Sequence, residues 1–137
     1  MRQELTAFLK SAQSAFYSGD AEALLDHFRL PLVIYSAAGV VLLRNRAEFI
    51  RLVEDYRTAL ASRSVTAGRQ TILSMDPPLN NRMRVTVRTI DEDENGVAQT
   101  GRTVRYFLLQ TETGLIIEMM EYLEVPMSIS DIEKIIH

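Results

Sequence analysis

The chain has 137 residues, of which 47% are hydrophobic and 24% charged, with a formal net charge of −3 and no cysteine. This length predicts a single domain with its own core, and the lack of cysteine excludes disulfides, thiolate metal sites and cysteine nucleophiles. The acidic balance argues against a nucleic-acid partner, and no apolar run approaches the roughly 20 residues that cross a bilayer. Met1–Lys10 lacks the pattern of a secretory signal, so we expect a cytoplasmic protein with no membrane partner.

Two helices are predicted at the start of the chain. Apolar residues at helical spacing indicate one amphipathic helix over Arg2–Tyr17. Ser18-Gly19-Asp20 is expected to end it, since glycine suits the left-handed position after a helix and aspartate is a good N-cap. A second helix, Ala21–Phe28, should end at Pro31, because the residue before a proline is pushed out of the helical region.

A hairpin and a third helix are predicted next. Leu32–Ser36 and Val40–Leu43 have the composition of strands. Asn45 and Glu48 then have the spacing of a capping box, with a side-chain acceptor at the cap and a carboxylate three residues later. The helix that they begin is expected to run to about Ala61.

The second half of the chain is predicted to be a sheet. A moderate strand at Val65–Met75 precedes three long antiparallel strands at Arg82–Asp91, Gln99–Gln110 and Leu115–Val125, and Asn95-Gly96 supplies a tight turn between the first two of these. Alternation predicts the side chains that face the helices from those two strands: Met83, Val85, Val87 and Thr89, then Val104, Tyr106 and Leu108.

The last strand is apolar on both faces. Alternation assigns to the helix-facing side Leu115, Ile117, Met119, Glu121, Leu123 and Val125. The other face still carries apolar residues such as Met120 and Tyr122, whereas a sheet with one wet face shows cleaner alternation. Because few residues remain to cover that second face, we expect a homodimer in which the sheets of two copies pack together.

The expected fold class is α+β, with residues 1–127 as one domain and residues 128–137 as a short helix or tail. Three stretches, Phe16-Tyr17-Ser18-Gly19-Asp20, Phe28–Tyr35 and Asn45–Tyr56, together with the order of the elements, resemble the NTF2-like superfamily. This is the cone-shaped, cystatin-like fold of nuclear transport factor 2, SnoaL-like cyclases and ketosteroid isomerase. The resemblance implies a strongly curved antiparallel sheet on three helices, an apolar pocket between them, and dimerisation through the open sheet face.

The resemblance does not select a function, because this fold carries both enzymes and binding domains. Isomerase-like members have a tyrosine donor, an aspartate base and a protonated acid at three positions. Ala12, Ser36 and Val104 or Arg105 are nearest to those positions here, so their mechanism is not predicted.

Glu121 is the candidate catalytic residue. A carboxylate between Met119 and Leu123 on the helix-facing side would have its pKa raised by apolar surroundings, toward the range of a general acid or base. The alternatives are that a bulge in the last strand reverses the alternation and leaves Glu121 in solvent, or that it pairs with an arginine.

Aromatic residues complete the candidate ligand pocket. Tyr35, Tyr56 and Tyr106 are predicted to point inward with Phe16 and Met119, and their hydroxyls would either orient a polar ligand group or lie at the rim of the core.

No metal or cofactor is expected. His27 reads as a helix-end residue, and the calcium-loop-like start at Asp91 meets Arg102 at its twelfth position, where a glutamate is required. The leading hypothesis is a domain that binds an apolar or amphipathic small molecule. The alternatives are a SnoaL-like or ketosteroid-isomerase-like enzyme, acting as an isomerase, dehydratase or hydrolase through Glu121, and a protein-interaction module with a vestigial pocket.

Overall fold

A computed structural model describes residues 2–124, which form three helices and one six-stranded sheet. The helices are α1 (Arg2–Ser18), α2 (Ala21–Leu25) and α3 (Arg46–Ala61). The strands are β1 (Phe28–Ser36), β2 (Gly39–Leu43), β3 (Ala67–Met75), β4 (Arg82–Glu92), β5 (Ala98–Thr111) and β6 (Gly114–Glu124). The predicted α+β architecture, a curved sheet packed on helices of the N-terminal half, is confirmed.

The sheet differs from the prediction in one pairing. The strands lie in the order β2-β1-β6-β5-β4-β3, and every neighbouring pair is antiparallel except β1 and β6. The parallel pairing places the hairpin of β1 and β2 beside the last strand, so the sheet is mixed rather than wholly antiparallel. It also brings the end of β1 next to the middle of β6, where Tyr35 is paired with Glu121.

The junction between α1 and α2 forms as the sequence predicts. Gly19 has a φ of +89°, and its N–H donates to the carbonyl of Phe16, while the Asp20 N–H donates to the carbonyl of Ala15. These two bonds close the end of α1 in the pattern that a left-handed glycine makes possible. The Asp20 side chain then accepts from the Ala23 N–H at 2.9 Å and caps α2.

The predicted end of α2 is wrong. The helix stops at Leu25, and β1 already begins at Phe28, so that Pro31 lies inside a strand instead of terminating a helix. A five-residue helix makes few of its own hydrogen bonds, and its length is set by packing rather than by propensity. Pro31 is tolerated in β1 because pairing with β2 starts only at the next residue.

The capping of α3 follows the prediction. Asn45 accepts from the Glu48 N–H at 3.0 Å, and the Glu48 carboxylate accepts from the Arg44 N–H at 2.8 Å. The carboxylate therefore reaches one residue further back than in the usual capping box, where it accepts from the cap residue itself.

A bulge at Glu118 overturns the predicted faces of β6. Phe107 pairs with Met119 and Leu108 pairs with Ile117, so Glu118 has no partner in β5. An extra residue in one strand reverses the alternation beyond it. Ile117 and Met120 are consequently both buried on the helix side.

The residues that the faces of β4 and β5 contribute to the core agree with the alternation read from the sequence. Met83, Val85 and Val87 of β4 and Val104 and Leu108 of β5 are all at most 6% exposed. They pack with Leu5 and Leu9 of α1 and Phe49 and Val53 of α3 in one cluster. The core thus lies between the helices and the inner face of the sheet.

The predicted short helix or tail at 128–137 lies outside the described residues, as does the boundary at residue 127. Within the described part of the chain, no helix is both long enough and apolar enough to cross a membrane.

Candidate functional site

A cavity of about 140 Å³ lies between the helices and the inner face of the sheet. Most of the side chains around it are aliphatic or aromatic. They come from α1 (Leu9, Ala12, Phe16), α3 (Phe49, Leu52, Val53), β1 (Leu32, Ile34) and β6 (Ile117, Met120), among others. Polar residues line one part of it, namely Tyr17, Tyr56, Gln70, Arg102, Tyr106 and Tyr122.

An ion pair between Asp91 and Arg102 anchors this polar part. Nη1 of Arg102 lies 2.7 and 2.8 Å from the two carboxylate oxygens of Asp91. The Asp91 side chain is 0% exposed and that of Arg102 is 11% exposed. Tyr17 joins the pair, because its hydroxyl donates to Asp91 at 2.6 Å and accepts from Nη2 of Arg102 at 3.2 Å. We call these three residues the Arg102 cluster.

The register of β4 and β5 brings Asp91 and Arg102 together. Arg102 is paired with Thr89, and Asp91 is paired with Thr100. Asp91 and Arg102 are therefore diagonal neighbours on one face of two adjacent strands, which is within reach of long side chains. Their face is the inner one, as it is for buried Thr89.

Two aromatic rings hold the guanidinium of Arg102 on the side opposite the sheet. Its Cζ lies 5.7 Å from the ring centroid of Phe16 and 5.7 Å from that of Tyr56. These distances are typical of cation–π contacts. The two rings also touch each other, with centroids 5.8 Å apart. Arg102 is thus fixed by an anion on one side and by π-systems on the other.

The charge states in this part of the cavity follow from its burial. Burial raises the pKa of Tyr17, Tyr56, Tyr106 and Tyr122, and nearby Arg102 only partly opposes this. Burial by itself lowers the pKa of Arg102, but its tyrosine neighbours and Asp91 outweigh it and hold that pKa well above the usual value. The phenols are therefore neutral hydrogen-bond donors beside a permanently charged guanidinium.

The hydroxyls of Tyr106 and Tyr122 make no hydrogen bond to another residue of the described part. In residues 2–124, the only fully enclosed side-chain oxygen or nitrogen without a hydrogen bond is Oε1 of Gln110. The two hydroxyls are consequently open to space, and the cavity is the space that both residues line. A buried tyrosine hydroxyl usually has a partner, so these two donors are available to a molecule in the cavity.

Three of the residues predicted to form the pocket line the cavity and three do not. Phe16, Tyr56 and Tyr106 are among the lining residues. Tyr35 is 41% exposed, because Ile34 on one side of it in β1 is buried against the core. The Glu118 bulge places Met119 on the outer face as well. A ligand-binding role for the three lining residues stays a prediction.

The helix-facing position predicted for Glu121 is wrong. Its neighbours Met120 and Tyr122 line the cavity, so Glu121 itself faces the opposite side of the sheet. There it accepts from Nη1 of Arg105 at 2.9 Å, with the two side chains about one-third exposed. Both alternatives read from the sequence, a bulge and an arginine partner, are realised at once.

The sequence interpretation missed Asp91, Arg102, Tyr17 and Tyr122. A signal for the first two was present. Extending the alternation of β4 by one step beyond Thr89 reaches Asp91, and extending that of β5 back from Val104 reaches Arg102. Both residues were instead read as the ends of an acidic loop.

That acidic loop has another role. Asp93 accepts from the N–H groups of Asn95 and Val97, at 2.9 and 3.0 Å, and so shapes the turn. His27 likewise has a structural role, since its Nδ1 lies 3.0 Å from the carbonyl of Ala23 near the end of α2. No group of three or more acidic or histidine side chains in the described residues has the arrangement of a metal site.

Comparisons by sequence find no relative: no family model matches the chain, and no curated protein does. Solved structures do match. An NTF-2 like protein of unknown function from Shewanella oneidensis has a TM-score of 0.66 at 13% identity, over 88% of this chain and 97% of that one. A domain of unknown function with a cystatin-like fold from Nostoc punctiforme reaches 0.70 at 11% identity, over 97% and 82%.

A third match is a ketosteroid isomerase-like protein from Erwinia carotovora atroseptica, with a TM-score of 0.59 at 13% identity, over 89% of this chain and 95% of that one. Identities this low show the fold alone. The chain therefore has the NTF2-like, cystatin-like fold that its sequence pattern predicts.

Proposed function

We propose that this domain binds an amphipathic small molecule in the cavity between the helices and the sheet. The observation that carries the proposal is the contrast between apolar walls and a polar part with two tyrosine hydroxyls that no described residue occupies. Few, well-placed polar groups in an otherwise apolar cavity are typical of ligand sites. An engineered apolar cavity of about 150 Å³ binds benzene, so a ligand with one aromatic ring, or a body of that size, suits this volume.

The geometry gives no support to an enzyme that uses Glu121 as its acid or base. That carboxylate pairs with Arg105 on the outer face and does not line the cavity. Ketosteroid isomerase-like is the name of one structural neighbour, and a shared fold does not transfer a reaction. Binding without chemistry is therefore the function that we propose.

A pair of alanine variants on one helix tests the cavity. Ala12 lines it, whereas Ala7 of the same helix is exposed. Titration of the ¹⁵N-labelled protein with ethylbenzene should shift amide signals of residues around the cavity in the wild type and in Ala7→Leu. Ala12→Leu fills the space and should abolish those shifts. Shifts that survive Ala12→Leu, or a wild type that does not respond, would rule the proposal out.

We further propose that two copies pair through the outer face of β2, β1 and β6. Four apolar side chains on these strands are substantially exposed: Tyr35 (41%), Val40 (61%), Leu42 (46%) and Leu123 (45%). The strand pairing makes them neighbours, since Tyr35 is opposite Val40 and Val33 is opposite both Leu42 and Met119. An apolar patch shared by three adjacent strands is the kind of surface that a second copy covers in a dimer.

Sedimentation velocity at micromolar concentration tests the dimer. The wild type is expected to sediment as a dimer and Leu42→Asp as a monomer, because a charge in the centre of the patch would be buried unpaired. Leu79→Asp is the matched control, as Leu79 is 74% exposed in the connection between β3 and β4, at the other end of the sheet. A monomeric wild type would contradict the pairing.

A further inference from the structure

Arg102 is the only charged residue among the described residues that line the cavity. Its charge already has a partner, since both oxygens of the Asp91 carboxylate lie within 2.8 Å of one guanidinium nitrogen. Asp91 is fully enclosed behind it and does not line the cavity. Arg63 also acts electrostatically on Tyr56, but it is not part of the lining either. The polar part of the cavity is therefore close to neutral overall.

A neutral but donor-rich end discriminates between ligands by charge. A carboxylate or phosphate placed against Arg102 would bring a second negative charge next to Asp91 in an enclosed site. Burial of a charge without its own partner is costly, and two like charges in one site repel. An uncharged oxygen acceptor meets no such penalty.

The donors in place suit such an acceptor. The hydroxyls of Tyr106 and Tyr122 have no partner among the described residues, and Val104, paired with Tyr122, lies between Arg102 and Tyr106 on β5. The three side chains thus surround one point of the inner face. Asp91 and Tyr17 accept from the two terminal nitrogens of Arg102, which leaves further N–H groups of its five.

We propose that Asp91 determines the charge of the ligand: by neutralising Arg102, it makes the cavity take an uncharged molecule with an oxygen acceptor, such as an aryl ketone, and reject carboxylates. Tyr106 and Tyr122 donate to that oxygen. The inference rests on the proposed function, because it assigns the ligand class of the same cavity. Asp91 acts through Arg102 and is a positioning residue.

Three probes of nearly equal size test the assignment: acetophenone, benzoate and ethylbenzene. They share a benzene ring and differ in the group that would meet the tyrosines. Isothermal titration calorimetry on the wild type at neutral pH should find acetophenone at least about tenfold tighter than benzoate. It should be about fivefold tighter than ethylbenzene, which is the worth of one net hydrogen bond.

Asp91→Asn tests the residue that sets the preference. The amide keeps the shape and an oxygen acceptor for Tyr17 or Arg102, but it removes the negative charge. Benzoate should bind this variant at least tenfold more tightly than it binds the wild type, while the affinity for acetophenone should change less than threefold. A ratio of the two affinities equal to that of the wild type would overturn the role of Asp91.

Because Asp91→Asn removes half of a buried ion pair, the wild type and the double variant Tyr106→Phe/Tyr122→Phe also test the proposal on their own. The double variant keeps the ion pair and should bind acetophenone and ethylbenzene equally. Wild-type protein that binds benzoate as tightly as acetophenone refutes the charge selection, while ethylbenzene binding in that same experiment leaves the cavity's function standing. If none of the three probes binds, both the ligand class and the proposed function fail.

Discussion

Replacing Gly68 with alanine tests how closely β3 approaches the phenol of Tyr17. A Cβ atom on Gly68 would overlap the Tyr17 hydroxyl and lie 2.8 Å from Cζ and 3.0 Å from Cε2 of that ring. Cβ atoms do not come so close to other atoms in folded proteins, so the ring has to move. Since the hydroxyl donates to enclosed Asp91 at 2.6 Å, moving the ring lengthens or breaks a hydrogen bond to a buried carboxylate.

The expected magnitude has two parts of opposite sign. A hydrogen bond to a charged group contributes about 1.5–3 kcal/mol to stability. Alanine in a strand is otherwise favourable by about 0.5–1 kcal/mol over glycine. We therefore expect Gly68→Ala to lower the free energy of unfolding by about 1–2 kcal/mol, as measured by urea denaturation followed by circular dichroism.

The matched background is Tyr17→Phe, which lacks the hydroxyl that the new methyl group overlaps. Gly68→Ala should cost less in that background than in the wild type, and the difference gives the coupling of the two sites. A Gly68→Ala protein that is as stable as the wild type, or more stable, would refute the close approach and with it the fixed position of Tyr17.

Two further predictions concern the charges of the polar part. Burial raises the pKa of four tyrosines above 10, namely Tyr17, Tyr56, Tyr106 and Tyr122. Their contribution is complete below pH 10; above it the unfolded chain releases protons that the folded state keeps, so urea titrations should show stability falling by up to about 1.4 kcal/mol per pH unit and tyrosine. Arg102→Met should cost about 3–5 kcal/mol because it leaves Asp91 unpaired, and adding Asp91→Leu should recover most of that loss in the same assay; no recovery would contradict the pairing.

The elements of this fold were predictable because their signals are local. The left-handed Gly19 after α1, the Asn45 cap of α3 and the alternation in β4 each depend on a few neighbouring residues. The prediction that α2 would end at Pro31 failed because a strand pairing with β2 and β6, distant in sequence, takes over from Phe28 onward.

The candidate site was harder to predict than the fold, for two physical reasons. Glu118 is an ordinary strand residue by composition, and only the register of β5 against β6 makes it a bulge. That single insertion exchanges Glu121 for Tyr122 on the inner face. Asp91 and Arg102 were overlooked because charged residues at strand ends usually lie in solvent. Only their mutual pairing makes burial affordable, and such a pair becomes visible when both alternations are extended to the hairpin.

Removing single hydroxyls separates the tyrosines that hold the fold from those that are open to the cavity. Tyr17→Phe deletes a donor to a buried carboxylate and should cost about 1.5–3 kcal/mol of unfolding free energy. Tyr106→Phe and Tyr122→Phe delete hydroxyls with no partner among the described residues. Their removal from an apolar surrounding should leave stability unchanged or raise it slightly. Chemical denaturation of the three variants measures this, and a loss above about 1 kcal/mol for Tyr106→Phe would mean that its hydroxyl has a protein partner. Polar groups that contribute nothing to the fold are those expected to act on a ligand.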